Sequence, residues 1–292
     1  MATVSYSKPK VISEIGCNHM GDMEIAKELI ALSKSCGADY AKFQKRNNKE
    51  LLTPDQYNTP HPVPYNSYGA TYGAHREYLE FTPQQHADLK AYAESIGIGY
   101  STSVWDVTSA KEIIPLNPDL IKVPSACNNH FEMLKVLRDE YKGEVHISFG
   151  MTTQDEEEKI VAFFEETGNA NRLVLYSCTS GYPVPFNDVC LLEIVRIKDK
   201  FASRVKDIGF SGHHLGISID IAAYALGGNW IERHFTKDRT WKGTDHAASL
   251  EMPGLHKLVR DLHNTHAALT YKQTEILGIE KVQRDKLKYR KQ

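Results

Sequence analysis

The sequence predicts a single (β/α)8 barrel. Short β-like runs alternate with longer helical patterns eight times between Lys10 and Leu269. Their even spacing along 292 residues suits one barrel-sized unit, and polar side chains able to do chemistry collect where the β-like runs end. The same alternation would also suit a doubly wound open sheet, which is the competing arrangement.

Lys10 to Ile15 reads as the first strand, and Ile25, Leu29, Leu32 and Cys36 then recur at helical spacing until Gly37 stops the helix. Tyr40 to Phe43 is the second strand. The stretch from Lys45 to Phe81, rich in Tyr, Pro and Asn, shows no clean periodicity and is long for a compact domain, so it reads as an active-site lid. Thr82-Pro83-Gln84-Gln85 is a capping box with proline at the first helical position, opening a helix to about Ser95. Ile98 to Ser101 follows as the third strand. The unit then repeats, with helix Thr108 to Ile114, strand Leu120 to Val123, helix His130 to Glu140 and strand Val145 to Ser148. Thr153 and Glu156 cap a helix reaching Phe164; Leu173 to Ser177 is the sixth strand and Asp188 to Lys200 the sixth helix. Ile208 to Phe210 and Trp230-Ile231 supply strands seven and eight, and a helix from Pro253 to Leu269 completes the count.

Composition narrows the partners. A formal charge of −2 leaves no field for nucleic acid or an anionic membrane, so any anion site must be local. Five cysteines, an odd number without a C-x-x-C pair, and no secretory signal or long apolar run point to the reducing cytoplasm.

The segment Gly209 to Glu251 places His213 and His234 just after two apolar runs joined by an Ala-rich helix. A strand-helix-strand crossover makes those strands parallel neighbours, so both imidazoles reach the same sheet edge. Two neutral imidazoles suit a divalent transition metal, and Asp245 adds a carboxylate nearby; two core histidines, each satisfied by a hydrogen bond, are the plainer reading. The other strand ends carry Glu14, Asn18 and His19; Lys42 and Gln44; Ser101, Thr102 and Ser103; Lys122 and Ser125; Ser148; Thr179 and Tyr182; and Ser211. Two strand-borne lysines with hydroxyls around one barrel mouth suit a phosphate, because a lysine inside a barrel is costly unless paired.

Read together, S-E-I-G-x-N-H-x-G-D from Ser13, G-A-D-Y-A-K-F-Q from Gly37, S-T-S-x-x-D from Ser101 and I-K-V-P-S from Ile121 resemble the N-acetylneuraminate (sialic acid) synthase family. So do S-F-G-M from Ser148, C-T-S-x-Y-P-x-P from Cys178, S-x-H-x-L-G, E-R-H-F-T and G-T-D-H. The resemblance runs from about residue 10 to 270, with motifs in order at nearly every strand end. It implies a cytoplasmic barrel that condenses phosphoenolpyruvate with N-acetylmannosamine or a related amino-sugar aldehyde, releasing phosphate and forming a nonulosonic acid. Its cofactor would be a divalent metal, manganese first, with magnesium or cobalt as alternatives.

By the same resemblance His213 and His234 are the metal ligands, and Lys42, Thr102, Lys122, Ser125, Ser148 and Ser211 hold phosphoenolpyruvate. Gln44, Tyr182 and Asp245 contact the sugar, and Glu14 lies beside the reacting carbons. The chain departs from the family at Ser211-Gly212-His213-His214, where S-D-H-T is usual, so metal choice or affinity is expected to differ; and at Ser125-Ala126-Cys127, where Ser-Gly-Glu is usual. Cys127 there reads as a packing residue. Family members continue past a basic linker, resembled here by Leu277 to Lys281, into an antifreeze-protein-like domain that completes the partner's site in a homodimer. This chain stops at Gln292, so residues 271–292 read as a basic tail after a barrel of residues 1–270. The loop with Tyr57, Tyr65, Tyr68, Tyr72, His75 and Arg76 becomes the candidate for acyl recognition, and a homo-oligomer is expected. Two further readings fit part of the pattern: another metal-dependent barrel aldolase or hydrolase, and a sugar- or phosphate-sensing barrel without turnover.

Overall fold

Nearly every position of every strand is buried, as parallel strands wrapped in helices must be. The computed structural model describes residues 6–289 and closes eight parallel strands, each hydrogen-bonded to the next in sequence and the eighth to the first. In chain order these are β1 (Lys10–Gly16), β2 (Tyr40–Lys45), β3 (Gly99–Val104), β4 (Leu120–Val123), β5 (Glu144–Ser148), β6 (Leu173–Cys178), β7 (Asp207–Gly212) and β8 (Trp230–His234).

Helix α1 (Met23–Ser35) starts on the Asp22 cap. Short helices α2 (Asn48–Leu51), α3 (Pro54–Asn58) and α4 (Tyr72–Tyr78) follow, then α5 (Pro83–Ser95), α6 (Val107–Ile113), α7 (Phe131–Glu140) and α8 (Gln154–Glu165). The series ends with α9 (Glu193–Phe201), α10 (Ser218–Ala225), α11 (Met252–Ala268) and α12 (Gly278–Leu287). Both expected capping boxes, at Thr82 and Thr153, are formed.

Two expectations need correction. The sixth helix begins at Glu193 rather than Asp188, because Phe186–Asp188 makes only a single tight turn and Cys190 then takes a φ of 50°, which a helix cannot contain. The Lys45 to Phe81 stretch is not irregular but carries α2, α3 and α4. Thr53-Pro54-Asp55-Gln56 repeats the capping-box-plus-proline signature of α5, and Thr71 caps α4. The basic tail forms the exposed α12 with Arg284 and Lys286 in its last turn, Lys288 follows it, and Arg290 and Lys291 lie outside the described residues. Among the described residues no helix is long and apolar enough to cross a membrane.

Side chains alternate across each strand, so the register assigns the barrel interior. Its lower part is apolar, with Ile12, Leu120, Val174, Tyr176 and Trp230 packed together and His146 set edge-on to Trp230 at 4.6 Å. One step higher, the inward positions are Glu14, Lys42, Ser101, Lys122, Ser148, Ser211 and Glu232. The floor thus closes the barrel and leaves the charged layer to face the mouth. Gly209 makes room for this plug: a Cβ there would stand 2.6 Å from the Tyr176 ring and 2.8 Å from the Trp230 carbonyl oxygen. Gly209→Ala is therefore expected to destabilise the fold by about 1–3 kcal/mol through overpacking. A urea midpoint equal to that of the wild type would show that the plug can shift to accept the methyl.

Candidate active site

A cavity of about 340 Å³ opens at the C-terminal end of the barrel, where catalytic groups of this fold lie. It is lined by Glu14, Lys42, Gln44, Lys122, Ser125, Ser148, Tyr182, Ser211, His213 and His234, ten of the sequence-predicted residues, together with Ser103 and Glu232. Asp245 borders an adjoining cavity that shares Gln44, Trp105, Tyr182 and His234 with the first.

Thr102 is not among them. It is fully buried on the outward face of β3, because Ser101 and Ser103 pair with the inward Lys42 and Gln44, and a period of two sends the residue between them to the helix layer. Ser103 occupies the cavity instead, accepting a hydrogen bond from Lys42 Nζ at 2.8 Å.

The charged layer is one network. Lys122 Nζ donates to both oxygens of Glu232 at 2.9 Å, and Ser211 Oγ donates to the same carboxylate at 3.0 Å. Lys42 is ion-paired with Glu14 and lies 3.7 Å from Glu232, while Gln44 Nε2 donates to Glu14 at 3.0 Å. Burial pushes the Glu232 carboxyl upward, but the charges of Lys122 and Lys42, with the hydrogen bonds, hold it well below the usual carboxylate range. The two lysines diverge. Burial lowers both, yet Glu14 and Glu232 together carry Lys42 above its ordinary value, whereas Lys122, with Glu232 in its favour and Lys42 against it, ends below. Lys122 also lies 4.0 Å from the centroid of the Tyr176 ring.

Glu232 is the residue that sequence reasoning missed. Its signal was present: it lies two positions before His234 on one strand and so shares its face.

His213 and His234 lie with ring centroids 5.5 Å apart. Nδ1 of His213 is 3.1 Å from the Thr179 carbonyl, which leaves its Nε2 free, and Nδ1 of His234 is buried with no hydrogen-bond partner. Burial holds the His213 imidazole neutral, down to about 3, and His234 adds to that. The pair has the donor chemistry for a divalent ion, although no group of three or more His, Cys, Asp or Glu able to hold a metal is formed among the described residues.

Arg233 fixes the spacing of the two histidine-bearing segments. Buried behind them, it donates to Asp220 at 2.5 Å, to the Gly216 carbonyl at 2.8 Å, to His214 Nε2 at 3.1 Å and to the His214 carbonyl at 2.6 Å. His214 owes its place to Gly212: a Cβ at 212 would stand 2.9 Å from the His214 ring and 2.7 Å from Phe210. The two departures in Ser211-Gly212-His213-His214 are thus one compensating pair. Gly212→Asp alone is expected to lower stability by about 1–3 kcal/mol, and His214→Thr in the same chain to recover part of it. Thermal melts of the three variants check this, and strict additivity would refute the pairing. Cys127, the other departure, is buried, and burial pushes its thiol up to about 11, in keeping with a packing role.

The Lys45 to Phe81 segment forms a wall beside the cavity mouth. Tyr68 donates to the Lys242 carbonyl at 2.5 Å, and His61, Tyr72, His75 and Arg76 line the adjoining cavity.

Residues 29–274 match the NeuB family. The chain is 39% identical over 283 residues to N-acetylneuraminate-9-phosphate synthase of Homo sapiens, spanning 95% of this chain and 76% of that protein. It is 31% identical over 263 residues to N,N'-diacetyllegionaminic acid synthase of Campylobacter jejuni, spanning 90% and 78%. Among solved structures, the N-acetylneuraminic acid synthetase of Leptospira borgpetersenii in complex with citrate superposes with a TM-score of 0.80 at 26% identity, over 97% of this chain and 94% of that one. The match spans most of the barrel and takes in the lysine, glutamate and histidine positions from Lys42 onward: the chain belongs to the NeuB family and is a phosphoenolpyruvate-dependent nonulosonic acid synthase.

Proposed function

We propose that the protein condenses phosphoenolpyruvate with N-acetylmannosamine or a closely related amino-sugar aldehyde to give a sialic-acid-type product. The observation that carries this reading is the pair of buried lysines, countered by Glu14 and Glu232, at the floor of a cavity whose rim holds two imidazoles. A buried cation pair with carboxylate partners can bind an anionic substrate by exchanging one partner for another.

In this reading Lys42 and Lys122, with Ser125, Ser148 and Ser211, hold the phosphate and carboxylate of phosphoenolpyruvate, and Ser103 replaces Thr102 in that ring. Gln44, Tyr182 and Asp245 orient the sugar. His213 and His234 would hold the divalent ion, which when bound supplies a Lewis acid for the aldehyde. As the methylene carbon of phosphoenolpyruvate bonds to the aldehyde carbon, the C=C π bond breaks and the C=O π pair passes to the aldehyde oxygen, which becomes a hydroxyl with the proton that Glu14 takes from the water of the next step. Water adds to the adjoining carbon and gives a proton to Glu14, the carboxylate that Gln44 and Lys42 hold at the cavity. The tetrahedral intermediate then loses phosphate by C–O cleavage, toward the two lysines.

The two relatives are named for products that differ away from the condensing carbons, so the sugar's far end is where substrates diverge. The test is phosphate release from phosphoenolpyruvate with manganese, across a panel of aldehyde sugars, with and without chelator. Release that requires both sugar and metal is expected. Phosphoenolpyruvate binding without release from any sugar would replace this reading with a sensing barrel, for which the altered Gly212 and Cys127 positions would be the cause.

A further inference from the structure

Below Lys122, the apolar floor of the barrel carries a chain of three polar groups. Glu144, His146 and Ser148 alternate up the inward face of β5, and Tyr176 pairs with Ser148 from β6. Glu144, at the bottom opening, meets Lys206 at 2.6 Å and His146 Nε2 at 3.2 Å. His146 Nδ1 lies 2.8 Å from the Tyr176 hydroxyl, and Lys122 Nζ sits over the Tyr176 ring, 4.0 Å from its centroid. His146 and Tyr176 are both buried completely.

One arrangement of protons satisfies all three groups. Burial pushes the Glu144 carboxyl up, but hydrogen bonds from His146 and Lys206 outweigh it and hold it below its ordinary range, so it is ionised. Burial brings His146 down to about 4, and burial with the charge of Glu232 lifts the Tyr176 phenol well above its ordinary value. The imidazole is therefore neutral and the phenol keeps its proton. Glu144 accepts the Nε2 proton, Nδ1 is then an acceptor, and Tyr176 donates to it. A phenol that donates to an imidazole backed by a carboxylate gains electron density. The face it turns to Lys122 is correspondingly more negative, and an ammonium over such a face is attracted most strongly where water is excluded.

Lys122 needs that surface because its other support is the one a substrate anion competes with. It donates to both oxygens of Glu232 from β8; Cys178 on β6 also favours its charge, Lys42 on β2 opposes it, and neutral His146 is its register partner on β5. Glu14 on β1 is ion-paired with Lys42. An anion that takes the Lys122 hydrogen bonds away from Glu232 leaves the Tyr176 ring as the fixed group beneath the ammonium.

We infer that Tyr176, polarised through His146 and Glu144, is a positioning residue of the condensing site: its ring holds Lys122 in place and charged while phosphoenolpyruvate draws it off Glu232. This deepens the synthase reading and rests on it.

The test compares the wild type with Tyr176→Phe, which keeps the ring and loses the hydroxyl, and Tyr176→Leu, which loses both. Calorimetric binding of phosphoenolpyruvate is followed from pH 7 upward, and the titration of Lys122 is read by NMR on chains carrying ε-13C-lysine, its signal assigned by its loss in Lys122→Arg. Binding requires the cation, so it fails as pH rises through the Lys122 pKa; losing the ring lowers that pKa and moves the failure to lower pH. Lys42, held above its ordinary value, titrates later. Affinity for phosphoenolpyruvate is expected to fall by roughly tenfold or more in Tyr176→Leu and by less in Tyr176→Phe, with the sugar KM unmoved and the Lys122 titration displaced downward in the same order. A Lys122 titration that is the same in the wild type and both variants overturns the inference whatever happens to affinity, because a purely packing role would weaken binding without moving it. A wild type that binds no phosphoenolpyruvate would remove the synthase reading instead, and the Lys122 titration would still decide whether Tyr176 holds the charge.

Discussion

Lys122→Met is expected to remove phosphate release almost entirely, by on the order of a thousandfold or more, and to destabilise the protein at the same time. In the proposed reading, the catalytic loss follows from removing one of two fixed cations toward which phosphate leaves as the C–O bond breaks. The stability loss has a separate origin. Glu232 receives two hydrogen bonds from Lys122 at 2.9 Å, and without them its buried carboxylate keeps Ser211 at 3.0 Å and Lys42 at the looser distance of 3.7 Å. Stranding half of a buried pair costs about 3–5 kcal/mol, whereas replacing both members is often close to neutral. The Lys122→Met/Glu232→Gln double variant should therefore melt nearer to the wild type than Lys122→Met does, while remaining inactive. Melts and phosphate-release rates for the three proteins separate the two effects. A single variant within tenfold of wild-type turnover would exclude Lys122 from the chemistry.

The second large effect is acid destabilisation, starting well above the carboxylate range. His19, His86 and His146 are all but fully buried; burial lowers the first two to about 3 and the third to about 4, from an ordinary 6.5. Each is held as a neutral ring: His19 stacks on Phe81 at 4.1 Å, His86 hydrogen-bonds the Tyr100 hydroxyl at 2.6 Å, and His146 hydrogen-bonds Tyr176 at 2.8 Å. A lowered native pKa means that the unfolded chain takes up the proton first. The stability these rings contribute is thus complete above 6.5 and lost as pH falls toward 4 to 3. Each contributes a slope of about 1.4 kcal/mol per pH unit in that window. Urea unfolding at pH 7, 6 and 5 should give a stability that drops by several kcal/mol, with proton uptake on unfolding. Stability that stays flat from pH 7 to 5 would mean that these rings protonate in place.

Much of the site was legible before the fold was known. Glu14, Lys42, Lys122, His213 and His234 could be nominated because each sits at or near the end of a short apolar run, and barrels carry their chemistry there. Helix starts were equally readable where a hydroxyl, a proline and a glutamine fall in fixed order, as at Thr82. The same order at Thr53 shows that the α3 region was readable too, and the tyrosines and prolines around it hid the signal.

Other features could not be assigned that way. Ser101, Thr102 and Ser103 are chemically alike, and only the pairing of Ser101 with Lys42 and Ser103 with Gln44 shows that the middle one faces the helices. Likewise, nothing local distinguishes Arg76 from a solvated arginine, and its burial follows from the Lys45 to Phe81 wall folding over the mouth.

Periodicity and capping are near-neighbour properties, written within a turn of helix or a few residues of strand, so the barrel class and the strand ends could be read directly. Register, cavity membership and the compensation between Gly212 and His214 depend on which groups from distant segments share a few ångströms. Closure of the eight strands decided those, because it alone determines where each side chain's countercharge and free volume come from.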